Sequence, residues 1–97
     1  MKVRFLSIAE VELEEAIEYY NFQLPFLAHQ FYNEISRGIN RIIQYPEAWS
    51  RTNNKIRRYL VKQFPYAIYY VYEGDEIIVV AISHLHRKPE SFKNRIN

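Results

Sequence analysis

Hydrophobic and polar positions change their period along this chain, and each change marks an element. Residues 2–6, KVRFL, alternate with Val3 and Phe5 on one side, which predicts a short strand ending at Ser7. From there the spacing lengthens. Ala9, Leu13, Ala16, Ile17, Tyr20 and Leu24 fall on one helical stripe, and the glutamates take the other face. Ser7 and Glu10 have capping-box spacing, with Leu6 and Val11 placed as a hydrophobic staple, so the helix is expected to begin there. Its early acids suit the positive end of the helix dipole. Pro25 interrupts the pattern, and a second stripe at Leu27, Phe31, Ile35, Ile39 and Ile42 ends before Pro46.

After the polar loop SRTNNK the period shortens again in three β-rich runs, Ile56 to Val61, Tyr66 to Tyr72 and Ile77 to His84. Glu73, Gly74, Asp75 and Glu76 mark a tight turn that pairs the last two runs as a hairpin. The order βααβββ predicts an α+β fold, a helical hairpin packed on one face of a mainly antiparallel four-stranded sheet, with the other face partly open. The chain shows no repeat, low-complexity stretch or linker, so a single domain over residues 1–97 is expected. Arg57 and Arg58 are adjacent on a strand and must point to opposite faces. If Ile56 and Leu60 face the helices, Arg57 is the outward one; the pattern leaves that register open.

Composition narrows the classes. With 97 residues and a 48% hydrophobic fraction the chain is sized for one core. The absence of cysteine excludes a disulfide framework, a zinc-thiolate site and a thiol nucleophile, and fits a reducing cytoplasm. Glu10 arrives before an apolar signal region can form, and the longest apolar run, Ile77 to Ile82, is far shorter than a membrane span, so a cytoplasmic location is expected. Charge is segregated. Residues 8–45 hold six glutamates against two arginines, a balance of −4, whereas residues 46–97 hold nine Lys or Arg against five acids, a balance of +4. Such a basic half can receive a phosphate backbone or an acidic protein, though a mixed solvated surface has the same composition.

The βααβββ order now joins a set of local phrases: AEVELEEAIEYY in the first helix, FYNEISRGINRIIQYPEAW in the second, and IRRYLVKQFPYAIYYVYEGDEIIVVAISHLHRKP across the strands. In that order and at those separations they resemble the RelE/ParE toxin superfamily over nearly the whole chain. FPYAIYY and the pattern of His84, Arg87 and Pro89 look closest to the ParE-like, or plasmid-stabilisation, branch. The resemblance implies the toxin component of a type II toxin–antitoxin system. It implies growth inhibition by binding a replication target such as DNA gyrase, and neutralisation by a cognate antitoxin in a hetero-oligomer. The RelE-like alternative is a ribosome-dependent mRNA endoribonuclease, and a third is a module that retains antitoxin binding without toxicity.

If the chain is a ribonuclease, His84 is the candidate acid or base, with Arg57 and Arg87 stabilising charge on the phosphate. Two departures from RelE-like ribonucleases weigh against it: Ala67 stands where they place an arginine, and Phe92 where they place a tyrosine. For a binding toxin the candidate target contacts are Arg57, Arg58, Lys62, Tyr70, Arg87, Lys88, Lys93 and Arg95, arginine being suited to bidentate contacts with anions. Phe22, Phe26 and Tyr32 lie outside the main helical stripes and are candidates for holding an amphipathic antitoxin helix. Blander readings stand beside these: a half-buried His84 on a backbone carbonyl, strand tyrosines that only pack, and a tail from Leu85 to Asn97 that is either a target arm or a frayed end. His84 and His86 share strand spacing without a third ligand nearby, so neither a metal nor another cofactor is expected.

Overall fold

The computed structural model describes residues 1–53 and 55–96; Asn54 in the expected loop and Asn97 at the end of the expected tail lie outside the described residues. The elements are β1 (Lys2–Phe5), α1 (Ser7–Gln23), α2 (Pro25–Gln44), β2 (Arg51–Asn53), β3 (Ile56–Leu60), β4 (Tyr66–Glu73) and β5 (Glu76–His84), followed by a 3-10 helix, Pro89–Arg95. The fold is α+β, with two helices packed on one face of a sheet ordered β1-β5-β4-β3-β2. β1 runs parallel to β5, and the other pairings are antiparallel.

The sheet therefore has a fifth strand where four were expected. β2 arises in the polar stretch read as a loop, because its pairing comes from the neighbouring edge rather than from its own pattern. Arg51 lies opposite Arg57, the Thr52 hydroxyl donates to the Ile56 carbonyl at 3.2 Å, and the Arg58 N–H donates to the Ser50 carbonyl at 3.0 Å.

The capping box does not form. Leu6 donates its N–H to the Val79 carbonyl, prolonging the β1 pairing, and its own carbonyl receives the Ala9 and Glu10 N–H groups. Leu6 is thus the N-cap and Ser7 already lies inside the helix, with no side-chain cap. Between the helices Leu24 is extended, as the residue before a proline prefers, and Pro25 opens α2, where its missing N–H costs nothing. α2 lies close to the sheet at Gly38, where a Cβ would come 2.7 Å from Tyr59 Cε1 and 2.9 Å from Ile68 Cδ1.

β4 sets the two faces of the sheet by strict alternation. Tyr66, Ile68, Tyr70 and Tyr72 join the cluster under the helices, while Ala67, Tyr69 and Val71 join one on the opposite face. Arg57 pairs with Tyr70 and Arg58 with Tyr69, so Arg57 shares the helix side and Arg58 the outer side. This reverses the favoured assignment: Ile56 belongs to the outer cluster, not to the helical one. The β4–β5 register shifts between Tyr69 and Tyr70 of β4, leaving Val80 of β5 as an extra residue, so that Val80 and Ala81 both face outward.

The outer face is less open than expected. Phe92 of the 3-10 helix is fully buried on that outer cluster, its ring 4.6 Å from that of Tyr69. Seating such a side chain contributes about 2–3 kcal/mol, which is enough to hold a short segment down.

Candidate functional site

β1 ends opposite Val79, so the edge of β5 beyond that residue lacks a neighbouring strand. Glu12 of α1 fills the gap. Its carboxylate accepts the Ile82 N–H at 3.1 Å, two bonds from Arg95 at 2.9 and 2.8 Å, and one from Arg87 at 3.1 Å. Arg95 also donates to the Val80 carbonyl at 2.8 Å, and the guanidinium groups of Arg87 and Arg95 lie 5.1 and 4.9 Å from the centre of the Phe92 ring. The Glu12 and Arg95 side chains are 12% and 10% exposed, so this pair is largely withdrawn from water, whereas Arg87 is about half exposed.

Beside this clamp lies a cleft of 310 Å³ lined by Glu12, Glu15, Tyr19, Tyr66, His84 and Arg87. His84 Nδ1 accepts the His86 N–H at 3.2 Å, and its ring stacks on His86 at 4.8 Å with Tyr66 edge-on at 5.4 Å. Burial, and then the neighbouring Tyr19, push the Tyr66 phenol above its ordinary range, so it stays protonated at neutral pH.

The opposite edge carries a second concavity, 450 Å³, lined by Arg41, Trp49, Arg58, Tyr59, Leu60 and Lys62 among others. Arg41 donates to the Tyr59 hydroxyl at 2.8 Å. Among the described residues Arg58 and Lys62 form no salt bridge. Arg57 is engaged on the helix side, donating to the Trp49 and Glu47 carbonyls at 2.7 and 3.1 Å. Tyr70 is fully buried and donates to the Pro46 carbonyl at 2.6 Å, so both side chains tie down the loop after α2. Burial pushes the Tyr70 phenol up to about 12, against the pull of the Arg57 guanidinium.

The candidate target cations are distributed over the molecule and do not gather on the face opposite the helices. Arg58 and Lys62 stand at the β3 edge, Arg87 and Arg95 at the β5 edge, and Lys88 and Lys93 are exposed on the tail. The register of β3 and the docking of Phe92 cause this spread; neither is encoded in the local pattern. Phe22, Phe26 and Tyr32 are exposed on the helical hairpin, Phe22 at 92%. Ile8, Val11 and Tyr19 are exposed as well and, with Phe22, form a second apolar stripe along α1 that the sequence reading missed. The signal was present: at 100° per residue these four project within one narrow sector of the helix. Glu12 was missed because on α1 it looks like one more solvated glutamate.

Sequence comparison decides the family. Residues 3–89 match the family described as the ParE toxin of the type II toxin-antitoxin system, parDE. The chain belongs to the ParE toxin family. It is thus a toxin of the type II toxin–antitoxin class, and the family match stops short of Phe92 and Arg95. A solved structure described as the chromosomal ParDE TA system from P. aeruginosa is similar in fold, with a TM-score of 0.75 and 16% identity over 87% of this chain and 95% of that one. No curated protein matches the sequence. In this ParE-family chain, no three His, Asp or Glu side chains among the described residues gather as a metal site, and no described helix is long and apolar enough to cross a membrane.

Proposed function

We propose that residues 1–97 form a single toxin domain that acts in the cytoplasm by binding a replication target such as DNA gyrase, and that a cognate antitoxin neutralises it in a hetero-oligomer. The observation that carries this reading over the ribonuclease one is the separation of the candidate catalytic groups. Arg57 pairs with Tyr70 and His84 with Tyr66, about 13 Å apart along β4 at the usual strand rise. Arg57 is moreover bonded to backbone carbonyls on the helix side. In-line attack of a ribose hydroxyl on phosphate needs acid, base and cations within hydrogen-bond reach of one another's substrate atoms.

Binding makes no such demand. Arg58, Lys62, Lys88 and Lys93 offer cations to an acidic target surface, and Phe22, Phe26 and Tyr32 offer apolar area to an antitoxin helix. Induction of the chain alone in a bacterium tests the proposal, with purified gyrase supercoiling as the companion assay. Filamentation and DNA damage are expected before any change in messenger RNA. Codon-positioned mRNA breaks appearing first would replace the proposal with the ribonuclease reading, in which His84 and Arg87 share the cleft. Unimpaired growth would leave only a non-toxic antitoxin-binding module.

A further inference from the structure

α1 carries charge that the rest of the molecule leaves unbalanced. Its 17 residues include Glu10, Glu12, Glu14, Glu15 and Glu18 and no lysine or arginine. Among the described residues Glu12 is the only one of these in a salt bridge. Glu14 and Glu18 stand four residues apart and Glu15 and Glu18 three, spacings at which like charges on a helix repel. This charge borders two concavities that join. The 310 Å³ cleft at the β5 edge and a second of 490 Å³ farther along α1 share Glu15 and Tyr19. They form one groove, with Glu18 and Phe22 at its outer end and Tyr66 and His84 at its inner end.

The groove is aromatic along its length. Tyr19 and Phe22 are 56% and 92% exposed, and ring contacts continue from Tyr19 to Tyr20 at 5.2 Å, to Tyr66 at 6.1 Å and to His84 at 5.4 Å. Tyr20 is 9% exposed, and its phenol is close enough to those of Tyr19 and Tyr66 for their charges to oppose its ionisation. Tyr59 and Tyr70 use their hydroxyls in bonds within the protein, whereas among the described residues those of Tyr19, Tyr20 and Tyr66 do not. Three phenol oxygens near the inner end therefore keep their lone pairs for a ligand.

We propose that this groove binds a linear polyamine, with ammonium groups on Glu18 and Glu15 and against the phenol oxygens, and methylenes along Tyr19 and Phe22. Free carboxylates supply the opposing charge, and aromatic faces attract ammonium groups while packing the apolar stem between them. Helix residues three apart are neighbours at about 5–6 Å, which suits nitrogens separated by three or four methylenes. Other cations fit less well. A divalent metal finds no three His, Asp or Glu side chains gathered among the described residues, and ring faces give it no oxygen ligand. A basic helix, about 10–12 Å across with its side chains, is too wide to follow a flexible chain into the inner cleft. Arg87 on the inner wall is held by Glu12 at 3.1 Å, so the ligand's charge is met by Glu15 and Glu18 toward the other end. Phe22 is shared with the antitoxin surface proposed above, but polyamine binding needs neither antitoxin nor target, so either reading can fail alone.

Calorimetry and nuclear magnetic resonance on the full chain test this, with spermidine as the probe and magnesium and a lysine-rich helical peptide as comparisons at matched ionic strength. Spermidine should bind one to one and shift the ring signals of Tyr19, Tyr66 and His84. Glu15→Gln with Glu18→Gln should weaken it about tenfold, a change of ~1.4 kcal/mol, and Phe22→Ser about threefold. All three side chains are exposed, so the variants should keep the native circular dichroism spectrum. Absence of spermidine binding, unmoved ring signals or undiminished binding by the double variant would each overturn the proposal. Magnesium binding as well as spermidine would also overturn it, since that marks a diffuse counterion cloud. So would a peptide that shifts the ring signals where spermidine does not, which would make the groove a protein-docking surface.

Discussion

Replacing Glu12 by alanine should destabilise the fold, because one carboxylate serves both the β5 edge and the C-terminal tail. The variant strips the Ile82 N–H of its acceptor and leaves the Arg95 guanidinium, 10% exposed, without its carboxylate. Breaking one side of a buried pair costs about 3–5 kcal/mol. Arg95 keeps its bond to the Val80 carbonyl, which offsets part of this, so about 3 kcal/mol is expected. Arg87 adds little, because its half-exposed charge is screened. Arg95→Met retains the stem packed on Phe92 and leaves Glu12 satisfied by Arg87 and Ile82, for a loss of about 1.5 kcal/mol. The double variant Glu12→Ala with Arg95→Met should lose only about 2.5 kcal/mol, a coupling of about 2 kcal/mol. Urea unfolding followed by circular dichroism measures all three, and the Glu12 variant alone should melt roughly 12–24 °C lower. Losses that add to within about 0.5 kcal/mol, or a Glu12 variant costing under about 1 kcal/mol, would refute the clamp.

Three further outcomes are expected. Gly38→Ala should cost about 1–3 kcal/mol in the same assay, since its methyl meets the Tyr59 ring, which Arg41 and Trp49 hold in place. Tyr69→Phe should be neutral or stabilising by up to about 1 kcal/mol, because the buried Tyr69 hydroxyl has no hydrogen-bond partner among the described residues, and a clear loss would show that it does. Tyr70 should contribute to alkaline unfolding: its phenol titrates at about 12 when folded and near 10.0 when unfolded, so the unfolded chain releases the proton first. This contribution to stability is whole below pH 10.0 and is lost as pH rises to about 12. Tyr70→Phe should flatten that decline while losing about 1 kcal/mol at neutral pH, as read from unfolding curves across the range.

How much of the site was legible depends on the distance over which each residue's role is set. Phe22, Phe26 and Tyr32 could be picked out because a helical stripe has a fixed period, and residues outside it are left for solvent or a partner. Arg57 could not be assigned, because a shift of one residue in strand register exchanges the faces and no local pattern in IRRYL breaks the tie. Pairing with Tyr70 and Tyr69 of β4 breaks it. The role of Glu12 depends on Arg95 and Ile82, both far along the chain, and on β1 being too short to cover the β5 edge.

By itself the sequence determined the α+β class, both helices with their break at Pro25, the three long strands, the hairpin at Gly74 and the ParE-like resemblance. Each follows from periodicity, from the backbone limits of Pro and Gly, or from phrases read in order along the chain. Only the tertiary structure decided the fifth strand, the outward arginine and the cover that Phe92 places over the sheet. These arise where one segment supplies what another lacks. A ladder partner, a seat for a ring or a counter-charge is a property of two places in the chain at once.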